Sequence, residues 1–466
     1  MYDDTITAIA TPVGEGGIGI IRLSGPESAD VAGRLFRRGS RLRPVDVGQL
    51  ESHHLYYGHI VNPKSDRIVD EVMLTRMAGP RTYTREDVVE ISCHGGPIPL
   101  REVLSLTIDA GAREAEPGEF TLRAFLNGRL DLSQAEAVMS VVSAQTSESL
   151  EMAVNELRGR LTNRLTPARE ALLEGLAFLD AAADFPEDEI PPTDVPEVLK
   201  RAEGHLSDVL ESSQMGLLYR EGVQIAIVGR PNVGKSSLMN TLLRSDRAIV
   251  TEIAGTTRDV ITETINLRGI PATLLDTAGI AETEDVVESI GIDRSRKALA
   301  SAGVAIFVLD GSQPLTEADL QVGQLLADRF GSAEDRRLVV AINKRDLPER
   351  YEHRELLDQF DDTPVVEIST MAGEGISALE EAVYDSLVAQ AGEAREPAMV
   401  TLRQQQALAR ALEHVKSAQF ALDDGVPQDL VAVDVRSAML AVGEITGEQV
   451  SESILTEIFS RFCIGK

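Results

Sequence analysis

At 466 residues the chain is longer than one hydrophobic core ordinarily organises, and its length predicts about three domains. Its 75 acidic and 45 basic residues leave a formal charge of −30, which argues against a surface that grips nucleic acid over its whole extent. Two cysteines supply neither a disulfide frame nor a zinc cluster, and no apolar run is long enough to span a bilayer. With no basic segment ahead of an apolar stretch in MYDDTITAIATP, the expectation is a cytoplasmic protein without membrane contact.

Residues 1–125 read as an α+β domain. Strands are expected at Thr5–Ile9, Ile18–Leu23, Val69–Leu74 and Val88–Ser92, and a helix at Leu100–Ala110. Gly14-Glu15-Gly16-Gly17-Ile18-Gly19 fits the dinucleotide fingerprint G-x-G-x-x-G, but it leads into another strand, so no helix N-terminus would face a pyrophosphate. A glycine-rich hairpin turn is expected instead. His94, before Gly95-Gly96-Pro97, reads as a polar loop residue, and His53, His54 and His59 read as surface residues without metal-site spacing.

Residues 126–220 turn helical. Ser133 with Glu136 reads as a capping box, Pro167 as the start of a further helix, and Glu197–Arg220 as another. Residues 221–389 alternate strand and helix. The apolar run Val223–Val228 leads into Gly229-Arg230-Pro231-Asn232-Val233-Gly234-Lys235-Ser236-Ser237, a G-x-x-x-x-G-K-[ST] loop followed by a helix. Such a loop turns backbone N–H groups on a polyphosphate, sends Lys235 to the outer phosphates and offers the Ser236 hydroxyl to Mg²⁺. Asp276-Thr277-Ala278-Gly279 ends a second strand; its aspartate would hold Mg²⁺ through water, and Gly279 would turn its N–H toward a γ-phosphate. Asn343-Lys344-Arg345-Asp346 ends a third, and the Asp346 carboxylate can accept from both donors of a guanine edge, which adenine lacks. Ser369-Thr370-Met371 falls where a loop would cover the base. Together these spacings predict a Ras-like GTPase domain. Ile280, where Ras-type enzymes carry a water-orienting glutamine, cannot orient water. Asn232 and the switch run Ala254-Gly255-Thr256-Thr257-Arg258-Asp259 either cage a monovalent cation or, for Asn232, simply stabilise the loop.

Residues 390–466 are helical again, with helices expected at Arg403–Leu422, Asp429–Ile445 and Ser453–Phe459. Helices on both sides of the GTPase domain would pack as one bundle, leaving that domain an insertion. The expected fold class is multidomain α+β and α/β. Near the end, Cys463 is catalytic, structural or idle on this reading, and Gly465-Lys466 does not make a prenylation box.

Several strings together resemble the MnmE (TrmE) tRNA-modification GTPase family over essentially the whole chain. They are Thr5–Pro12, Gly16–Gly25, Tyr83-Thr84-Arg85-Glu86-Asp87, Cys93–Pro97, Pro117–Thr121, Ala124–Leu132 and Phe462-Cys463-Ile464-Gly465-Lys466. The resemblance implies a homodimer built through N-terminal domains that bind a tetrahydrofolate derivative (5,10-methylene- or 5-formyltetrahydrofolate). Arg22, Glu86 and Arg129 would hold it, with Lys466 completing the pocket. The family often has lysine where this chain has Arg129. It also implies potassium activation, with Asn232, Thr251, Ile253 and Thr256 on K⁺, and Ser236 and Thr257 on Mg²⁺. The run Thr251-Glu252-Ile253-Ala254-Gly255-Thr256-Thr257 would lie on GTP, Glu288 would orient the attacking water, and Asn232 and Lys235 would share in the catalysis. An FAD-containing partner, MnmG, joins such proteins in placing an aminomethyl or carboxymethylaminomethyl group on C5 of the wobble uridine (position 34) of certain tRNAs. The acidic balance fits a partner that carries most of the tRNA contact. The competing reading is a ribosome-assembly GTPase with RNA-binding flanks, although the flanks here show no basic run.

Overall fold

The computed structural model describes residues 3–12, 14–184, 193–244, 248–249, 263–276, 302–330, 337–348, 350–351, 353–360, 363–391 and 396–466. The chain forms two compact units, residues 1–139 with 443–466, and residues 140–442.

The first unit is built on eight strands: β1 (Ile6–Ile9), β2 (Ile18–Ser24), β3 (Phe36–Arg38), β4 (Arg43–Pro44), β5 (His54–Val61), β6 (Ile68–Met77), β7 (Val88–His94) and β8 (Arg113–Glu114). Their order is β4-β3-β5-β6-β7-β2-β1-β8, antiparallel apart from the β1–β8 pair. In β2, Ile21 and Leu23 alternate into a core shared with Leu74, Val89 and Ile91 of neighbouring strands and with Val31, Leu35, Leu100 and Val103 of the Ser28–Leu35 and Pro97–Asp109 helices. The glycine-rich stretch after β1 joins an antiparallel pair, Ile6 opposite Ser24 through Ile9 opposite Ile21, as the hairpin expectation requires. Leu132, Ala135, Ile458, Phe459 and Phe462 form a satellite cluster that binds the Glu452–Ser460 helix to this unit.

Three local readings are corrected here. The Leu132–Ser143 helix is capped by Asp131, not Ser133: Asp131 Oδ1 accepts from Gln134 N at 2.8 Å, and Gln134 Oε1 accepts from Asp131 N at 2.9 Å. A carboxylate is the stronger acceptor, and Ser133 donates its own hydroxyl to the same Oδ1 at 2.6 Å. His59 is not a surface residue but a half-buried member of β5, edge-on to Tyr57 at 5.8 Å between centroids. His94 is the last residue of β7, its Nδ1 lying 2.6 Å from Asp70 Oδ1, and that hydrogen bond and charge raise its pKa.

In the second unit, the helices Arg160–Asp184 and Leu402–Asp423 both pack against the helix Val195–Glu221. Pro167 lies inside the first of them rather than at its start; Gly159, at φ +87°, makes the break instead. Between the last two helices in sequence lies a seven-stranded sheet: β9 (Val223–Val228), β10 (Ala248–Ile249), β11 (Glu263–Leu267), β12 (Ile270–Asp276), β13 (Val304–Asp310), β14 (Leu338–Asn343) and β15 (Val365–Glu367). The order is β10-β11-β12-β9-β13-β14-β15, with β12 through β15 and β9 mutually parallel and the β10 and β11 pairings antiparallel. β13 is buried along its whole length, as a central parallel strand covered on both faces must be. The Val195–Glu221 helix before the sheet packs against the Leu402–Asp423 helix after it, so the chain leaves and re-enters the helical layer on either side of the sheet. Among the described residues no helix is long and apolar enough to cross a membrane.

The bundle depends on one close approach. A Cβ at Gly216 would collide with the Ala398 carbonyl oxygen, where the chain re-enters after the sheet. Gly216→Ala is expected to destabilise the chain by about 1–3 kcal/mol, through overpacking against backbone that cannot yield. Urea unfolding followed by circular dichroism measures this, and an unchanged midpoint would show that the two segments can separate freely.

Candidate functional site

The loop after β9 starts at Gly229 (φ +152°) and ends at Gly234 (φ +103°), ahead of the Lys235–Arg244 helix. Gly234 passes so close to Asn343 that a side chain there would overlap the Asn343 amide nitrogen. Asn232 sits at φ +66°, a left-handed conformation that asparagine tolerates. Its side chain is exposed and, among the described residues, makes no hydrogen bond. Lys235 Nζ donates to the carbonyls of Gly229 and Arg230, each at 2.8 Å, while Ser236 and Ser237 are exposed in the first turn of the helix. A turn of free N–H groups, an ammonium and two hydroxyls at a helix N-terminus can bind a polyphosphate chain.

The run after β14 clasps that loop. Asn343 is buried, 1% exposed; its Nδ2 donates to Val233 O at 2.8 Å, and its Oδ1 accepts from Thr370 N at 3.1 Å. Lys344, at φ +67°, donates to Asn232 O at 2.9 Å and to Asp310 Oδ2 at 2.7 Å. Asp346 Oδ1 accepts from Ser369 Oγ at 2.6 Å, and Ser369 Oγ in turn accepts from Ala372 N at 3.1 Å. The structure therefore brings Asn232, Val233, Gly234 and Lys235 together with Asn343, Lys344, Asp346, Ser369 and Thr370; Met371 is 85% exposed at the tip of the last loop. Asp276 ends β12. Thr251, Glu252, Ile253, Ala254, Gly255, Thr256, Thr257, Thr277, Ala278, Gly279, Ile280 and Glu288 lie outside the described residues.

Sequence reasoning missed Asp310, at the end of β13. Burial raises its pKa, but the Lys344 and Ser312 hydrogen bonds outweigh that and hold its carboxyl below the usual range. Arg230 pairs with it at 3.7 Å and with Asp319 at 3.0 Å, tying the phosphate-loop backbone to the next crossover. The signal was present: Val304–Asp310 (VAIFVLD) is an apolar run ending in aspartate, as the strand before Asp276 is.

A second constellation occupies the first unit. Arg22 donates Nε to Glu90 at 2.8 Å and Nη1 to Gly465 O at 3.0 Å, and lies over the Phe120 ring at 5.7 Å. Gly465, at φ +93°, passes against the Ile9 carbonyl where a side chain could not, so Lys466 ends beside β1. Glu86 accepts from Ser24 Oγ at 2.7 Å and faces Arg123 at 3.4 Å. Arg123, fully buried on the Glu119–Leu126 helix, also pairs with Asp4 at 2.7 Å and Glu119 at 2.9 Å. Burial alone would raise the pKa values of Asp4 and Glu119, but hydrogen bonds from Arg113, and then from Arg123, outweigh it and lower both. Arg129 stacks on Tyr83 at 4.7 Å, and Tyr83 is hydrogen-bonded to Thr121 at 2.9 Å on the same helix. Among the described residues no direct polar contact joins Arg129 to Arg22, Glu86 or Lys466; the Glu119–Leu126 helix is their shared support.

A parallel sheet whose first strand feeds a glycine-rich phosphate loop, closed by Asn-Lys-x-Asp after β14, defines a GTP-binding GTP hydrolase of the phosphate-loop class. The family model described as "GTP-binding protein TrmE N-terminus" matches residues 5–129, and the "MnmE helical domain" model matches residues 132–463. The chain is 43% identical over 471 residues to the tRNA modification GTPase MnmE of Alkaliphilus oremlandii, covering 100% of both. It is 44% and 45% identical, over 468 residues and 99% of each chain, to those of Geobacillus thermodenitrificans and Geobacillus kaustophilus. The chain belongs to the MnmE (TrmE) family of tRNA modification GTPases.

Asn343 holds the site through main-chain partners on two loops. Asn343→Ala would leave the buried Val233 carbonyl and Thr370 N–H unpaired, at about 2–3 kcal/mol, and GTP affinity is expected to fall about 30- to 100-fold. Titration with a fluorescent GTP analogue checks this, and an affinity within twofold of the parent would remove the tie from the site's design.

Proposed function

We propose that this chain is a potassium-activated GTPase that works with an FAD-containing partner, MnmG, on tRNA. Together they would convert C5 of the wobble uridine to its aminomethyl or carboxymethylaminomethyl form, drawing one carbon from a tetrahydrofolate derivative. The observation that carries the reading is the hydrogen bond from Arg22 to Gly465 O, which joins the C-terminal tail to the strand bearing the first folate residue. Arg22, Arg129 and Lys466 offer cations to the carboxylates of a folate, and Glu86 offers a carboxylate to the donor edge of its pterin. In the GTPase domain, Asn232 supports the cation reading over the loop-stabilising one, because its amide is exposed and, among the described residues, unbonded.

In this reading Asn232, Thr251, Ile253 and Thr256 hold K⁺, and Ser236, Thr257 and Asp276 (through water) hold Mg²⁺. When bound, the two ions supply the positive charge that an arginine finger brings to other GTPases. Lys235 steadies the outer phosphates, Gly279 meets the γ-phosphate, Asp346 reads guanine, and Glu288 orients the attacking water. The protein acts in the cytoplasm as a homodimer, with GTP-driven ordering of the switch residues relayed to the modification centre.

GTP hydrolysis is expected to be about 10- to 100-fold faster in KCl than in NaCl, and Asn232→Ala is expected to remove most of that difference. Steady-state phosphate release measures both, with Glu288→Ala expected to lower the rate in either salt. Equal rates in the two salts would remove the cation mechanism. Calorimetric titration with 5-formyltetrahydrofolate should show binding that Arg22→Ala weakens about tenfold or more. An absence of heat would favour the ribosome-assembly reading.

A further inference from the structure

Neither site uses a cationic cavity of about 660 Å³ in the second unit, lined by Asn155, Arg158, Arg160, Asn163, Arg164 and Glu396. Local sequence builds it. Arg158 and Gly159 break the helix between Ser147–Leu157 and Arg160–Asp184, so Arg158 projects from the turn while Arg160 and Arg164 stand one helical turn apart. Beneath them Glu156, 5% exposed, accepts from Leu161 N at 2.9 Å and so occupies the start of the second helix.

Three carboxylates, Glu156, Glu396 and Asp208, lie near the cluster but match its guanidiniums unequally. Arg160 pairs with Glu396, 76% exposed, at 2.6 Å. Among the described residues Arg164 hydrogen-bonds main-chain carbonyls alone, Glu396 O at 3.2 Å and Asp208 O at 3.3 Å. Burial and the neighbouring Arg160 outweigh the pull of Glu156, Glu396 and Asp208 and lower its pKa. Arg158 is exposed and, among the described residues, has no side-chain partner. Burial pushes the Glu156 carboxyl up to about 6 against the pull of Arg160 and Arg164, and at neutral pH it remains a buried counter-charge beneath them. A chain of net charge −30 thus gathers three guanidiniums and two carboxamides around one open hollow. Guanidinium forks match phosphate oxygens bidentately, and carboxamides donate to the same oxygens or to ribose hydroxyls.

We propose that this cavity receives phosphate groups of the RNA backbone and is a tRNA contact on the GTPase chain itself. The proposal rests on the tRNA reading above and adds to it where the RNA touches this protein. Glu396 occupies the place of an incoming phosphate on Arg160 and is displaced by it. The contact is electrostatic and sequence-independent, so it adds to whatever the partner protein supplies.

Anisotropy titrations of a labelled tRNA transcript with the full-length protein, between about 50 and 200 mM KCl, test the proposal. Arg158→Gln is expected to weaken binding about threefold, and the combined Arg158→Gln, Arg160→Gln and Arg164→Gln variant at least about tenfold. The combined variant should also flatten the logarithmic salt dependence, by about 0.7–0.9 in slope for each phosphate that is no longer neutralised. Glu396→Gln is expected to strengthen binding. Unchanged GTPase rates certify the fold of each variant, and Arg158→Gln alone touches no described partner. The proposal is overturned if the parent shows no tRNA affinity at the lowest salt or if the variants bind like the parent. Inorganic phosphate at constant ionic strength is expected to compete with tRNA for the parent and not for the combined variant, and competition equal in both would overturn the proposal. Loss of affinity for the FAD partner with tRNA binding intact would assign it instead to an acidic protein surface. Failure of the modification reading shows elsewhere, in potassium stimulation and folate binding, neither of which uses these residues.

Discussion

The carboxamide of Asn343 is the constraint on which the nucleotide site depends. It has one donor group and one acceptor and spends both on main chain, at Val233 and at Thr370, so two loops from different strands hang on a single buried side chain. Lys344, turned left-handed beside it, adds a third loop by reaching Asp310 at the end of β13. The ends of β9, β13, β14 and β15 are thereby fixed relative to one another at the carboxyl edge of a parallel sheet. That edge is where doubly wound folds bind their ligands. Because both partners of Asn343 are backbone atoms, that tie is independent of the side chains at Val233 and Thr370.

In the other unit a buried arginine has the same office by different means. Taking a guanidinium wholly out of water is costly, and Arg123 is stable there only because Asp4, Glu119 and Glu86 surround it. The converse also holds. Glu86 is held in place by Arg123 and Ser24, so its carboxylate presents a fixed edge rather than a flexible one. Asp4 and Glu119 also share Arg113, so these three and Arg123 form one network of ion pairs in which each charge has more than one partner. The helix carrying Arg123 also supports Arg22 through Phe120 and Tyr83 through Thr121, so the structural core of the unit and the residues proposed for folate share one scaffold.

What the sequence made legible follows from range. The phosphate loop, the Asn-Lys-x-Asp run and the hairpin at Gly14–Gly19 were readable because each is decided by neighbours within about ten residues. Capping was misread because Ser133 and Asp131 both satisfy the local pattern, and only acceptor strength separates them. Pro167 was misread because a packed bundle face offsets one lost hydrogen bond, a tertiary effect that outweighs local propensity. Arg123 and Asp310 escaped notice because their partners lie at distant positions in the sequence, and a lone charged residue in an apolar pattern ordinarily reads as exposed. His59 misled in the same way: a strand containing His, Tyr and Gly hides its period until its neighbours are known.

The net charge is the instructive case, because it limits less than it suggests. A formal charge of −30 governs long-range approach, but at physiological ionic strength charges are screened within about 8–10 Å. Beyond that distance the acidic majority does not alter what a phosphate meets at Arg158, Arg160 and Arg164. The local count there is what matters, and it is set by a helix break that puts the three side chains around one hollow. An acidic chain can therefore be slow to attract RNA and yet hold one segment of its backbone once another protein has delivered it. In such a division of labour the delivering protein governs the rate of encounter, and this cluster governs register.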